Sequence, residues 1–201
     1  MNILCLDLEG VLIPEVWQAV AQSSGVDALQ KTTRDIPVYD DLMQYRLNLL
    51  AQHDIKMSDI EAQIDLLEPL PGAKAFLDWA RREFQVAIIS DTFYEFAGPL
   101  MAKLDQPLLL CHHLVVENDR IVDYKIRQKD PKRASVRAFK SLDYKVLAAG
   151  DSFNDVSMLE EADHGFFFQA PANVCSEFPQ YSLANNYQEL QDFLIQAADI
   201  G

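Results

Sequence analysis

Ile3-Leu4-Cys5-Leu6-Asp7-Leu8-Glu9-Gly10-Val11 and, far downstream, Val146-Leu147-Ala148-Ala149-Gly150-Asp151-Ser152-Phe153-Asn154-Asp155 decide the reading of this chain. Each is an apolar run of strand length that ends abruptly in carboxylates. Parallel strands deliver their last side chains to one edge of a sheet, where ligands bind. Two such strands side by side bring Asp7, Glu9, Asp151 and Asp155 together. Carboxylates that close repel one another unless some are protonated or a cation neutralises them. Hard oxygen donors at that count suit Mg²⁺. The pattern predicts a Mg²⁺-dependent enzyme with a carboxylate nucleophile.

The surroundings of these strands fix the fold class. Beyond Gly72 helices and strands alternate. The pattern gives a helix over 73–83, the strand Gln85–Ser90, a helix from Phe93 to Leu104 and a short strand Leu108–Cys111. Leu114–Val116 and Ile121–Tyr124 then flank Glu117-Asn118-Asp119-Arg120 as a hairpin. Pro131 opens a helix to Phe139. The strand 145–149, a helix 154–161, the strand Gly165–Phe168 and a helix Glu189–Ala198 complete the chain. This is an α/β fold, a doubly wound parallel sheet covered on both faces. Residues 14–70 differ. They read as helical throughout, with a start at Pro14 and a capping box at Ser58 and Glu61. They form an inserted helical cap, so the core comprises 1–13 and 71–201.

Composition narrows the function. The 201 residues carry a formal charge of −14 and are 49% hydrophobic. So acidic a surface argues against nucleic acid and anionic membrane as partners. Cys5, Cys111 and Cys175 have neither disulfide nor zinc spacing. The chain opens with no targeting segment and contains no run of membrane-spanning length, so a cytoplasmic address is expected. Oligomeric state stays open, a homodimer included.

Four further groups carry chemistry. A carboxylate that attacks phosphorus needs a second carboxyl group to protonate the leaving oxygen and later deprotonate the acceptor. Asp7 and Glu9 have that spacing. Ser90-Asp91-Thr92 ends an apolar strand and can hold phosphoryl oxygens, or simply cap a helix. Lys129-Asp130-Pro131-Lys132-Arg133 puts cations at a helix start, which the helix dipole disfavours unless an anion is near. Arg46 sits inside an apolar helical pattern, and Glu15 lies near the start of the first insert helix; each also reads as an ordinary surface residue. His53, His112, His113 and His164 show no ligand spacing and receive no role.

These motifs, in this order, resemble the haloacid dehalogenase superfamily of phosphotransferases. The match rests on Asp7-x-Glu9, Ser90, Lys132 and Gly150-Asp151-x-x-Asn154-Asp155. Cys5–Leu12, Ser90–Phe96 and Arg127–Arg133 are similar to the phosphoserine phosphatases, and within them to the branch that also transfers phosphate to homoserine. The resemblance implies a Rossmann-like core with a small helical-bundle cap. It implies that Asp7 becomes an aspartyl phosphate and that Ser90 and Lys132 hold its oxygens. Asp7, the Glu9 carbonyl and Asp151 would bind Mg²⁺, with Asn154 at the substrate and Asp155 behind the metal. Glu15 and Arg46 map onto the cap positions that read the substrate amine and carboxylate, and the backbone at Ser90-Asp91 borders the substrate. L-Phosphoserine and homoserine are the implied small-molecule partners. Most members of the superfamily carry Asp where this chain has Glu9, whose extra methylene places the acid differently. A broad-substrate sugar or nucleotide phosphatase of the same superfamily, and a non-catalytic phospho-receiver domain, stay open at this point.

Overall fold

A computed structural model describes residues 1–32, 35–36 and 38–200. The chain runs β1 (Asn2–Leu6), α1 (Val16–Ser24), α2 (Tyr39–Gln52), α3 (Met57–Ile64), α4 (Ala73–Glu83), β2 (Gln85–Phe93), α5 (Tyr94–Lys103), β3 (Leu108–Glu117) and β4 (Arg120–Lys125). It continues as α6 (Pro131–Ser141), β5 (Lys145–Gly150), α7 (Val156–Glu161), β6 (His164–Phe168), α8 (Ala172–Glu177), β7 (Ser182–Ala184) and α9 (Tyr187–Ala198). One seven-stranded sheet has the order β4-β3-β2-β1-β5-β6-β7. Its pairs are parallel except β3 with β4.

The first strand is central because it is apolar on both faces. Leu4 and Leu6 point into one cluster with Trp17, Phe76 and Phe96. Ile3 and Cys5 point into the other with Val136 and Met158. Such a strand must be covered on both sides. It pairs with β2 on one edge and β5 on the other, with Leu6 beside Ala149. The sheet order reverses here, and β1 and β5 deliver the two acidic motifs to the same edge.

The segment between Ile13 and Pro71 contributes α1, α2 and α3. Its two ends meet where Leu70 N donates to Leu12 O at 2.9 Å. It shares the larger apolar cluster with the sheet, through Trp17, Met43 and Ile60 among others. Trp17 of α1 meets Phe96 of α5 edge-on, with ring centroids 5.4 Å apart.

Several expected boundaries shift. Helix α1 starts at Val16, not Pro14, because Leu12 N and Ile13 N both bond to Leu8 O and the chain leaves that turn extended at Glu15. The capping box at Ser58 and Glu61 does not form. Lys56 is the N-cap of α3, and its N–H donates to Asp59 at 2.9 Å. Ser58 instead donates to Asp119 through N at 2.9 Å and Oγ at 2.7 Å, and Met57 N reaches Asp119 O at 2.9 Å. The hairpin turn thus satisfies the first N–H groups of α3. Leu108–Glu117 is one strand rather than two, and Asn118 and Asp119 close a two-residue turn with φ 49° and 63°. Helix α8 and strand β7 were not anticipated. No helix among the described residues is long and apolar enough to cross a membrane.

Phe96 is fully buried and joins the insert to the core, so Phe96→Ala is expected to cost about 3–5 kcal/mol of stability in urea unfolding. Leu142, 67% exposed, should change stability by less than about 0.5 kcal/mol on truncation to Ala. Equal effects at the two positions would contradict this packing.

Candidate active site

The sheet edge beyond β1 and β5 opens into a cavity of about 550 Å³. Asp7 follows β1, and its N–H bonds to Ala149 O at 3.0 Å, which fixes the two motifs against each other. Asp151 follows Gly150. A Cβ at Gly150 would stand 2.2 Å from Asp155 Cγ, and one at Gly10, where φ is +79°, would stand 2.5 Å from Asp151 Oδ2. Glycine at both positions lets backbone approach the acids where any side chain would collide.

Asp155 is wholly buried and already spoken for. Its Oδ2 accepts from Asp151 N at 2.9 Å and Ser152 N at 3.0 Å, and its Oδ1 accepts from Lys132 Nζ at 2.5 Å. Lys132, at the start of α6, is 2% exposed. Its ammonium also stands 3.1 Å from Asp7 Oδ1 and 3.6 Å from Asp91 Oδ2. The anion expected near this helix start is therefore three carboxylates. Lys129 and Arg133 of the same basic run stay at the surface or on its rim, Arg133 pairing with Asp130 and Glu160.

Oxygens of Asp7, Asp151 and Asp155 lie within 4.8 Å of one another, a cluster able to hold a metal ion. Burial, then Asp155, push the Asp7 carboxyl well above the usual carboxylate range, and Lys132 only partly offsets them. Burial, Asp155 and Glu15 push Asp151 up to about 7. For Lys132, burial works downward, but Asp155, Asp7 and Asp91 outweigh it and hold the ammonium well above its usual range.

Ser90 is buried inside β2, and its Oγ accepts from Thr92 N at 3.3 Å. Helix α5 begins later, at Tyr94, so Ser90 is not its cap. Asp91 lines the cavity as well, with its side chain 24% exposed. Its Oδ2 accepts from Asn154 Nδ2 at 2.8 Å, and burial is overcome by Lys132, His112 and Asn154, which hold it well below the carboxylate range.

Glu9 Oε2 accepts from Val16 N at 3.0 Å, so it satisfies the N-terminus of α1 from outside the helix. Glu15 is hydrogen-bonded to Glu9, and burial together with Glu9 pushes it up to about 7. Arg46 of α2 is 8% exposed. Its guanidinium lies 4.5 Å from the Trp17 ring centroid and donates to Lys31 O at 2.9 Å. Burial lowers it to about 10, against the pull of Glu9, Tyr39 and Glu15. Glu15 and Arg46 both line the cavity above Asp7.

Sequence reasoning missed Tyr39 and His112. Tyr39 lines the cavity and donates its hydroxyl to Asp91 O at 3.1 Å. His112 is buried with Nε2 3.6 Å from Asp91 Oδ1. Neither has a local signal, because the partner lies in a distant part of the chain. The sequence pattern places His112 between two short strands, whereas it lies inside the single strand β3.

The pH dependence of the metal-free protein follows from Asp151. An acid raised in the folded state stabilises it fully below the unfolded value, near 3.9, and that contribution is lost as pH rises through about 7. Asp151→Asn removes the group. In thermal unfolding with EDTA, Tm of the variant minus Tm of the native chain should widen between about pH 4 and pH 8. A flat or narrowing gap contradicts the assigned electrostatics.

The haloacid dehalogenase-like hydrolase family matches residues 1–163. A phosphoserine phosphatase of Pseudomonas syringae pv. tomato is 56% identical over 200 residues, 99% of this chain and 84% of that protein. Phosphoserine phosphatase ThrH of Pseudomonas aeruginosa is 56% identical over 199 residues, 98% and 97% of the two chains. A substrate-bound phosphoserine phosphatase structure superposes with a TM-score of 0.81 at 18% identity, covering 96% of this chain and 97% of its own. An apo phosphoserine phosphatase gives 0.80 at 18%, covering 96% and 98%. At those identities the structures speak for the fold. With the acidic edge at β1 and β5, the sheet order and the sequence match, the chain belongs to the haloacid dehalogenase-like hydrolases.

Proposed function

We propose that the chain is a Mg²⁺-dependent phosphoserine phosphatase that works through an aspartyl phosphate on Asp7 and also passes the phosphoryl group to homoserine. One observation carries the reading. Among the described residues, the buried side-chain polar atoms without a hydrogen bond are Asp7 Oδ1 and Arg46 Nε, and both residues line the same cavity. Lys132 Nζ lies 3.1 Å from Asp7 Oδ1, an ionic contact without hydrogen-bond alignment. Buried polar atoms left open in a folded chain point to a ligand. Here one is a nucleophile's oxygen and the other belongs to a guanidinium fork suited to a carboxylate. The two relatives named phosphoserine phosphatase support the same substrate.

The donor set fits Mg²⁺. The candidate side-chain ligand atoms are all carboxylate oxygens, and Asp7 and Asp151 are raised by burial and by repulsion among the carboxylates, which a cation would relieve. Asp7, Asp151 and the Glu9 carbonyl would hold the ion, with Asp155 behind them because both its oxygens are engaged. When bound, Mg²⁺ neutralises the carboxylates and the phosphoryl oxygens during transfer.

The protein groups divide the remaining work. Asp7 attacks phosphorus as the bond to the serine oxygen breaks. Lys132, with the Ser90 hydroxyl, balances the charge on the phosphoryl oxygens. Glu9 supplies a proton to the departing serine oxygen, then takes one from water or from the homoserine hydroxyl. Its Oε2 accepts from Val16 N, which sets the acid at the start of the cap. Arg46 grips the α-carboxylate, and Glu15 offers a carboxylate to the ammonium. Asn154 holds Asp91 beside the phosphoryl site.

Phosphate release from L-phosphoserine in Mg²⁺, with p-nitrophenyl phosphate as a substrate lacking a carboxylate, tests the proposal. Arg46→Ala should lower kcat/KM on phosphoserine by about 30- to 1000-fold and leave the slow turnover of p-nitrophenyl phosphate nearly unchanged. Equal loss on both would make Arg46 a folding element and sink the amino-acid assignment. EDTA should abolish turnover and Mg²⁺ should restore it.

A further inference from the structure

His112 lies in β3, is 2% exposed, and has no part in the steps above. Its two ring nitrogens face different partners. Nδ1 accepts the backbone N–H of Arg127 at 3.2 Å, while Nε2 stands 3.6 Å from Asp91 Oδ1. A nitrogen that accepts from an amide keeps its lone pair, so the ring proton resides on Nε2 and faces the carboxylate. The 3.6 Å separation is a few tenths of an ångström longer than a hydrogen bond, within the range that closes when a site fills.

Arg127 also reaches forward. Its guanidinium donates to Ser135 Oγ at 2.7 Å and to Pro131 O at 3.4 Å. Both acceptors belong to the first turns of α6, and Lys132 is the residue after Pro131. One arginine thus fixes the His112 tautomer with its backbone and braces the helix that carries the buried lysine. From the cap side, Tyr39 sets its ring edge against His112, with centroids 6.1 Å apart, and donates its hydroxyl to Asp91 O.

Asp91 is where these contacts converge. One oxygen receives Asn154 and lies 3.6 Å from Lys132; the other faces His112. A carboxylate surrounded by donors is held in one rotamer. Without the imidazole, Oδ1 loses the donor that faces it, and the group can turn away from Lys132.

We propose that His112, locked by Arg127 as an Nε2–H donor, is a positioning residue that holds Asp91 and through it aims Lys132 and Asn154 beside Asp7. The inference rests on the reading of Lys132 as the cation for the phosphoryl group. It gives the Arg127–Lys132 segment a purpose beyond its lysine.

Two independent readouts test it. In the ¹⁵N-histidine NMR spectrum of the intact protein at neutral pH, His112 should be the Nε2–H tautomer; an Nδ1–H ring or an imidazolium overturns the proposal. His112→Phe keeps a ring against Tyr39 and removes the donor. Its kcat on L-phosphoserine should fall about 10- to 150-fold, the range for losing a hydrogen bond to a charged group, with KM changed far less. His112→Gln restores an N–H at similar reach and should recover most of the loss. His112→Asn stops short of Asp91 and serves as the donor-deleting variant if the Phe protein does not fold. Because His112 acts through Asp91, adding Asp91→Asn to His112→Phe should cost no more than the larger single change. A purely structural histidine would lower Tm and give additive effects. Native kcat in both donor-deleting variants, or additivity with Asp91→Asn, overturns the proposal. A native protein inactive on both phosphoserine and p-nitrophenyl phosphate would refute the proposed function instead, and the tautomer then decides the His112–Asp91 pairing alone.

Discussion

Everything at this sheet edge depends on one buried ammonium. Lys132 is 2% exposed and faces Asp155 at 2.5 Å, Asp7 at 3.1 Å and Asp91 at 3.6 Å. Burying a charge costs several kcal/mol unless it is well paired. Here the lysine comes from α6, and its partners come from the ends of β1 and β2 and from the turn after β5. One cation therefore ties three strand ends into a single site. Its effect differs from partner to partner. Asp91 has Lys132, His112 and Asn154 on its side, and these outweigh burial. Asp7 has Asp155, Asp151 and Asp91 against it, and these with burial outweigh the lysine. A carboxyl group in that state lacks positive charge, which is the physical demand a divalent cation would meet.

The helical insert is bound to this site by specific groups as well as by apolar packing. Glu9, two residues beyond Asp7, caps α1. Tyr39, the first residue of α2, bonds to the backbone of Asp91. Asp119 of the hairpin turn closes the N-terminus of α3, Tyr124 of β4 donates to Asp40 at 2.6 Å, and Lys103 of α5 reaches Leu67 O at 2.6 Å. Each of the three insert helices thus has a polar tie to the sheet or to an element packed on it. Two of those ties, Glu9 and Asp91, end on groups within the site. A change in the position of the insert cannot leave the acidic edge unaffected.

Much of this was legible in the sequence, and the reasons differ by residue. Strands β1, β2 and β5 announced themselves as apolar runs ending in acids or hydroxyls, and Gly150-Asp151 fixed the turn that brings the acids together. Lys132 was singled out because a lysine at a helix start needs an anion. What stayed hidden falls into two kinds. Helix α8 and strand β7 are too short to show a period. Ser58, His112 and Tyr39 are defined by partners far along the chain, Asp119 for the first and Asp91 for the others, and a local window cannot see them. Ser58 shows the cost: its spacing to Glu61 imitates a capping box, while its actual bonds run to the hairpin. Asp91 was marked as a site residue, but the neighbours of its carboxylate, Asn154 and His112, come from distant segments.

The central claim is that Asp7 accepts the phosphoryl group while Lys132 holds it. Acid-quenching the enzyme during turnover of L-phosphoserine with Mg²⁺, followed by peptide mass spectrometry, tests it directly. The account predicts a phosphoryl adduct on the peptide containing Asp7, labile to hydroxylamine as an acyl phosphate is, and absent in Asp7→Asn. An adduct on Ser90 or another hydroxyl, or full turnover by Asp7→Asn, would contradict it.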